Sequence, residues 1–185
     1  MRAELERLAD RAAAEGLLDV AYAHEDSPFG RLLLASTPRG VVRIGLPNQD
    51  HGELLADLAA RVSPRVLEAP ARLDEARREL DLYFEGRLRE FGLPLDWSLT
   101  AGFRGEAQRA IRSIPYGETR TYTEIARSAG NERAVRAAGT ACGSNPLPIV
   151  VPCHRVLRTG GGLGGYGGGL PMKRALLEME GVGVR

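Results

Sequence analysis

The chain has 185 residues, of which 43% are hydrophobic and 26% charged, enough to bury one large core or two small ones. Its only cysteines are Cys142 and Cys153, and no run approaches the ~18 apolar residues of a membrane span, so a disulfide scaffold and a membrane protein are both excluded and a reducing cytoplasm is the expected location. The net charge of +1 hides an asymmetry: residues 1–98 carry 13 Arg against 18 Asp and Glu, a net of −5, and residues 99–185 carry 12 Arg and Lys against 6 Glu, a net of +6, so the basic half either meets a polyanion or faces the acidic half.

Residues 2–15 mix both charge signs, which excludes a signal peptide. They read as an amphipathic helix with Leu5, Leu8 and Ala12 on one face. Val20 to Ala23 reads as a strand leading into the turn Asp26-Ser27-Pro28-Phe29-Gly30. Arg31–Ser36 and Gly40–Leu46 then form a hairpin across Thr37-Pro38-Arg39-Gly40. Helices are expected at 51–62 and 71–85, the second with Leu73, Ala76, Leu80 and Phe84 on a stripe and Gly86 at its end. Leu93 to Thr100, containing Pro94, is the expected boundary, giving domains 1–98 and 99–185.

The second half opens with a helix over 102–113, closed by the turn-forming Ile114-Pro115-Tyr116-Gly117-Glu118-Thr119. Thr121-Tyr122-Thr123-Glu124 has the capping-box pattern, in which the Thr hydroxyl caps the first turn and the Glu reaches back. Gly130 stops that helix, and Gly130-Asn131-Glu132 separates it from an Ala-rich helix over 133–142. This is the outline of a helix-turn-helix, with Arg133 and Arg136 free to meet phosphate or base. The loop Gly160–Gly169 is interrupted only by Leu163 and Tyr166. It lacks P-loop spacing and reads as a loop that closes on a ligand. A last helix runs from Pro171 to Glu180.

The chemistry centres on Val151-Pro152-Cys153-His154-Arg155-Val156-Leu157. A thiol attacks only as its thiolate, so a cysteine beside a histidine raises the question of what takes the proton. A direct Cys153–His154 pair, as in a cysteine hydrolase, is disfavoured because adjacent side chains diverge. A plain helix-turn-helix regulator explains the basic half but not this motif.

Residues 103–181 resemble the O6-alkylguanine-DNA alkyltransferase family. The resemblance is carried by Ile114-Pro115-Tyr116-Gly117-Glu118-Thr119, Thr121-Tyr122, Arg136-Ala137, Asn145-Pro146, Val151-Pro152-Cys153-His154-Arg155-Val156, Gly165-Tyr166 and Glu180-Gly181, in the family's order and spacing. Ser27-Pro28-Phe29-Gly30 and the following hairpin resemble its variable N-terminal domain more loosely. The resemblance implies an α+β protein: a small N-terminal α/β, ribonuclease H-like domain, and a mainly helical, winged helix-turn-helix-like C-terminal domain. It implies a single-turnover transfer in which O6-methylguanine is flipped from duplex DNA and its alkyl group moves to the protein; O4-methylthymine stays open as a second lesion.

On that resemblance Cys153 is the nucleophile, His154 draws its proton through a water and Glu180 orients the imidazole. Tyr122 assists at the base and Asn145 buttresses the segment before the nucleophile. Arg136 fills the space of the flipped base, with Arg133, Ala137, Arg155 and Tyr122 also at the DNA. Cys153, Val156, Tyr166, Gly167 and Pro148 form the pocket, where Gly167 stands in place of the serine of some members. No cofactor and no metal is implied, since no cysteine precedes Cys142 to build a sulfur-containing zinc site. The expected partner is double-stranded DNA holding O6-alkylguanine, met by a monomer, with cooperative assembly on DNA left open. The alternative within this fold is an alkyltransferase-like protein that binds lesions without transfer; such proteins lack the cysteine that this chain has.

Overall fold

A computed structural model describes residues 2–183. The chain divides into two compact units, Met1–Leu88 with Gly92–Leu99, and Arg89–Phe91 with Thr100–Arg185. No described helix is long and apolar enough to cross a membrane.

The first unit is built on a four-stranded sheet of β1 (Val20–Ser27), β2 (Gly30–Thr37), β3 (Gly40–Gly45) and β4 (Val66–Glu68), in the order β3-β2-β1-β4. β1–β2 and β2–β3 are antiparallel hairpins, and β1–β4 is parallel. Leu32, Leu33, Leu34 and Ala35 of β2 are all fully buried. A continuous apolar run is what a central strand covered on both faces requires. One cluster packs Val20, Ala35, Val42 and Leu99 against Leu58 of α2 (His51–Arg61). Another packs Ala21 and Ala69 against Ala9 of α1 (Arg2–Ala14). Gly40 adopts φ +134°, and a Cβ there would stand 2.2 Å from the Pro94 carbonyl oxygen, so only glycine lets residues 94–96 close on β3.

Three sequence expectations in this unit are corrected. Leu8 is exposed and Ala9 carries the buried contact of α1, while the side chain of Leu5 lies outside the described residues. The helix expected at 71–85 begins as a 3-10 turn, Pro70–Leu73, and continues as α3 (Asp74–Phe84). α3 buries Tyr83 rather than Phe84 beside Ala76 and Leu80, since Phe84 sits one step off the stripe. β4 has no sequence signal: at three residues it forms only because β1 supplies its partner.

The second unit stacks α4 (Gly102–Arg112), α5 (Tyr122–Ser128) and α6 (Val135–Gly143). Ala107, Ile111, Ile125, Ala126, Ala138 and Ala141 are buried between them, and the alanines permit close helix approach. The capping box forms: Thr121 Oγ1 accepts from Glu124 N at 3.2 Å, and Glu124 Oε2 accepts from Thr121 N at 2.7 Å. Such a cap stabilises a helix by ~1 kcal/mol. At its other end Gly130 takes φ +87°, Gly130 N donates to Arg127 O and Asn131 N to Ala126 O, which satisfies carbonyls the helix leaves open. α6 starts at Val135 rather than at Arg133, so Arg133 lies in the turn before the helix. Two short strands, β5 (Arg120–Thr121) and β6 (Val156–Leu157), pair in parallel, and α7 (Leu170–Met179) completes the unit.

Candidate active site

Cys153 opens a 3-10 turn, Cys153–Arg155, that leads straight into β6. The approach to it is tightly wound. Val151 N donates to Leu147 O and Cys153 N to Val151 O, both at 2.8 Å. Ile149, buried, adopts φ +75°, a conformation that costs a branched residue energy and persists only where its surroundings hold it. Asn145 supplies much of that hold. Its Oδ1 accepts from Leu147 N at 3.0 Å, and its Nδ2 donates to Val151 O at 2.8 Å and to the Cys153 sulfur at 3.2 Å.

The turn buries three functional side chains in succession: Cys153 is 4% exposed, His154 0% and Arg155 5%. His154 Nε2 lies 3.0 Å from Glu180 Oε1. Arg155 donates through Nε to Glu180 Oε2 and through Nη2 to Oε1, both at 2.8 Å, and through Nη1 to Ile114 O at 2.5 Å. Glu180, the residue that caps the C-terminus of α7, is therefore held by a two-pronged guanidinium on one side while it meets the imidazole on the other. Tyr116 adds support: its hydroxyl donates to Met179 O at 3.1 Å, and the Arg155 guanidinium lies 5.8 Å from its ring centroid. Arg155 was expected at the DNA. The fold instead buries it against Glu180.

Electrostatics follow from burial. Burial pushes the Cys153 thiol up, while the Asn145 hydrogen bond and the Lys173 charge pull it back. Burial pulls His154 down and favours the neutral imidazole, opposed by Glu180, which favours the charged form. Lys173 itself is wholly buried, with Nζ donating to Val156 O at 2.6 Å and to Gly165 O at 3.3 Å. Burial lowers it too, and the two cysteines oppose that. Sequence reasoning missed Lys173, although its helical spacing from Met172, Leu176 and Leu177, all buried, places it on the inward face.

A cavity of about 660 Å³ lies against Tyr166, whose ring centroid is 6.3 Å from that of His154; Cys153, expected in the pocket, does not itself line it. Its walls are Val135, Arg136, Gly139, Cys142 and Gly143 of α6 and Gly164–Gly167 of the glycine loop, with Tyr122 and Arg158 between. The parallel register Arg120↔Val156, Thr121↔Leu157 is what brings Tyr122 there. Gly164, at φ +67°, lets the loop reach it: a Cβ there would stand 2.6 Å from the Tyr122 hydroxyl oxygen. Burial raises the Tyr122 hydroxyl, with Cys142 and Cys153 adding to the effect. Tyr166 lines the cavity with its hydroxyl buried and raised well above its ordinary value by burial. Cys142, in the α6 wall, is pushed up to about 12, mainly by burial, and behaves as a small apolar residue rather than a nucleophile.

The expected residues are thus largely brought together. Buried Cys153, His154 and Glu180 and half-buried Asn145 form one cluster, and Tyr122, Tyr166, Gly167 and Arg136 line the cavity. Pro148 and Val156 are buried and do not line it, although Val156 offers its carbonyl to Lys173. Arg133, Arg136 and Ala137 are exposed. Among the described residues no group of three or more His, Cys, Asp or Glu could hold a metal.

Comparison with known proteins agrees over both units. Residues 102–182 match the family model of the 6-O-methylguanine DNA methyltransferase DNA binding domain, and residues 20–97 that of its ribonuclease-like domain. A methylated-DNA–protein-cysteine methyltransferase of Mycobacterium bovis is 41% identical, over 87% of this chain and 92% of its own length. One from Methanosarcina acetivorans is 39% identical, over 86% and 97%. The crystal structure of Mycobacterium tuberculosis OGT in complex with DNA superposes with a TM-score of 0.74 at 40% identity, covering 86% of this chain and 92% of that one. With both halves matched, the chain belongs to the 6-O-methylguanine DNA methyltransferase family.

Proposed function

We propose that this chain repairs DNA by direct reversal, moving the alkyl group of an O6-alkylguanine irreversibly to Cys153 in a single turnover. The observation that carries this reading is the bracing of Cys153: the Asn145 amide bonds its sulfur, and the adjacent imidazole is locked to a carboxylate.

An alkyl group on O6 lies inside the duplex, so the base must leave the stack, at a cost of a few kcal/mol. Arg136, exposed at the cavity edge on α6, is suited to fill the vacated space, with Arg133 and Ala137 on the same exposed surface. The flipped guanine enters between α6 and the glycine loop. Tyr166 walls it, the carbonyls near Cys153 and Val156 accept its amino group, and the Gly167 N–H meets O6. His154 donates through Nε2 to Glu180, so proton uptake from Cys153 falls to Nδ1, through a water. Glu180 then offsets the imidazolium charge, and Asn145 steadies the thiolate. Sulfur attacks the alkyl carbon, the O6–carbon bond breaks, and guanine keeps the electron pair, with Tyr122 placed to assist its protonation. The product thioether resists hydrolysis, so each molecule acts once. No cofactor takes part, and the protein works as a cytoplasmic monomer on duplex DNA.

Peptide mass spectrometry after mixing with a duplex holding one O6-methylguanine tests this. A gain of one methyl on the Cys153 peptide, absent in Cys153→Ala, is expected. Tight lesion binding with no mass gain would make the chain a damage-binding protein instead.

A further inference from the structure

Arg155, the third residue of the Cys153 turn, also lines a second cavity of about 350 Å³, built wholly within the second unit. None of Cys153, His154 and Glu180 lines it, and the transfer described above gives it no role. Part of its wall is apolar, from the buried Phe91, Ile114, Ile149 and Val150 and the exposed Pro115.

Three guanidiniums are anchored on this wall. Arg155 donates to the carbonyl of Ile114 and Arg112 to that of Phe91, both at 2.5 Å. Arg89 lies 5.6 Å from the centroid of the Tyr116 ring, which Arg155 approaches at 5.8 Å. They differ in what already holds them. Glu180 pairs with Arg155. Arg89 is exposed, and among the described residues it makes no hydrogen bond or ion pair. Its contact with a ring uses none of its five N–H groups. Glu90 is the one carboxylate in the wall, and among the described residues it pairs with none of the three arginines.

Charge and shape together select a ligand. Arg89 and Arg112 stand against Glu90 alone, which favours an anion, and an open guanidinium fork matches phosphate oxygens. A phosphate monoester is close to doubly charged at neutral pH. The apolar wall gains from covering a group attached to that phosphate. The cavity also has the size of a small-molecule site, roughly 300–1,000 Å³.

We infer that this cavity binds a small phosphate monoester with an apolar or aromatic body, the phosphate on Arg89 and Arg112 and the body against Pro115, Ile149 and Val150. Ile149 holds φ +75°, and Val150 leads to Val151, whose carbonyl accepts from Asn145. The occupant therefore packs against the strained segment that runs up to Cys153.

Isothermal titration with phenyl phosphate tests this, with inorganic phosphate and benzyl alcohol as the two halves of the probe. The native protein is compared with Arg89→Gln and with Arg133→Gln, an exposed arginine outside the cavity. Phenyl phosphate should bind saturably at one site, and both halves more weakly. Its Kd should rise about tenfold in Arg89→Gln, as loss of a charge-assisted hydrogen bond implies, and stay unchanged in Arg133→Gln. No saturable heat at millimolar phenyl phosphate, or an unchanged Kd in Arg89→Gln, overturns the site. Equal affinity for inorganic phosphate removes the apolar body from it, and a loss in Arg133→Gln instead puts the phosphate on the arginines beside α6; either result overturns the inference. Methyl transfer to Cys153 is unaffected by all of these outcomes.

Discussion

The Cys153 thiol is buried, which by itself works against the thiolate that the chemistry needs. Two neighbours oppose that: the amide of Asn145, in contact with the sulfur, and the charge of Lys173, buried with only carbonyl partners. Removing either should move the pH dependence of thiol reactivity upward. We expect Asn145→Ala and Lys173→Met to slow alkylation of Cys153 by a small haloacetamide at neutral pH by about tenfold, the scale of a lost hydrogen bond to an ion, with the rate recovering at higher pH. A profile identical to the native one would show that neither group acts on the sulfur. Asn145 was legible in the sequence, because the family pattern marks its position. Lys173 was missed: a lysine in a helix is read as solvated, although its spacing from Met172, Leu176 and Leu177 puts it on the inward face.

At the scale of elements, the 3-10 turn Cys153–Arg155 and the helix pair α5–α6 divide the labour. Arg155 belongs to the turn, and its bidentate bond to Glu180 makes it structural. Arg155→Met would leave the Glu180 charge buried without that partner, at a cost of about 3–5 kcal/mol, and should leave the salt dependence of DNA affinity unchanged. Arg133→Ala should do the reverse. Stability should shift by no more than ~0.5 kcal/mol, while the slope of log affinity against log salt falls by about one. Thermal melts and salt titrations read both; a changed slope in Arg155→Met would restore it to the DNA surface. The helices could be read from sequence because their stop signals are local: the Thr121–Glu124 capping box and Gly130. β4, β5 and β6 could not, since strands of two or three residues have no period and depend on partners distant in sequence. The misplacement of Arg155 has the same origin. No spacing rule distinguishes a short 3-10 turn from a loop, so the direction of its third side chain was hidden.

For the whole molecule, charge and pH set the working range. The acidic and basic halves were legible from composition, while the two-unit α+β plan and the grouping of Cys153, His154 and Glu180 were legible only through the family resemblance. The cavity wall was legible only in part, because α6 and the glycine loop meet through tertiary packing. His154 is held below the ordinary histidine value of 6.5, mainly by burial, and His24 is lowered for the same first reason. The unfolded chain therefore binds protons near pH 6.5 that the folded protein refuses. Stability should be constant above that value and fall as pH drops through it. Melting temperature measured between pH 8 and pH 5 should show this decline, with a shallower slope in His154→Gln; an unchanged slope in that variant would mean that the imidazole does not resist protonation.

The central claim is that the protein is a reagent consumed by its own reaction. The most direct measurement is stoichiometry: a fixed amount of protein is mixed with excess duplex holding O6-methylguanine, and restored guanine is counted over time. The account predicts a plateau at one lesion repaired per protein molecule, with every Cys153 methylated and no further repair on longer incubation. Continued repair beyond one equivalent would contradict it, because a thioether at Cys153 could not then be the end of the reaction.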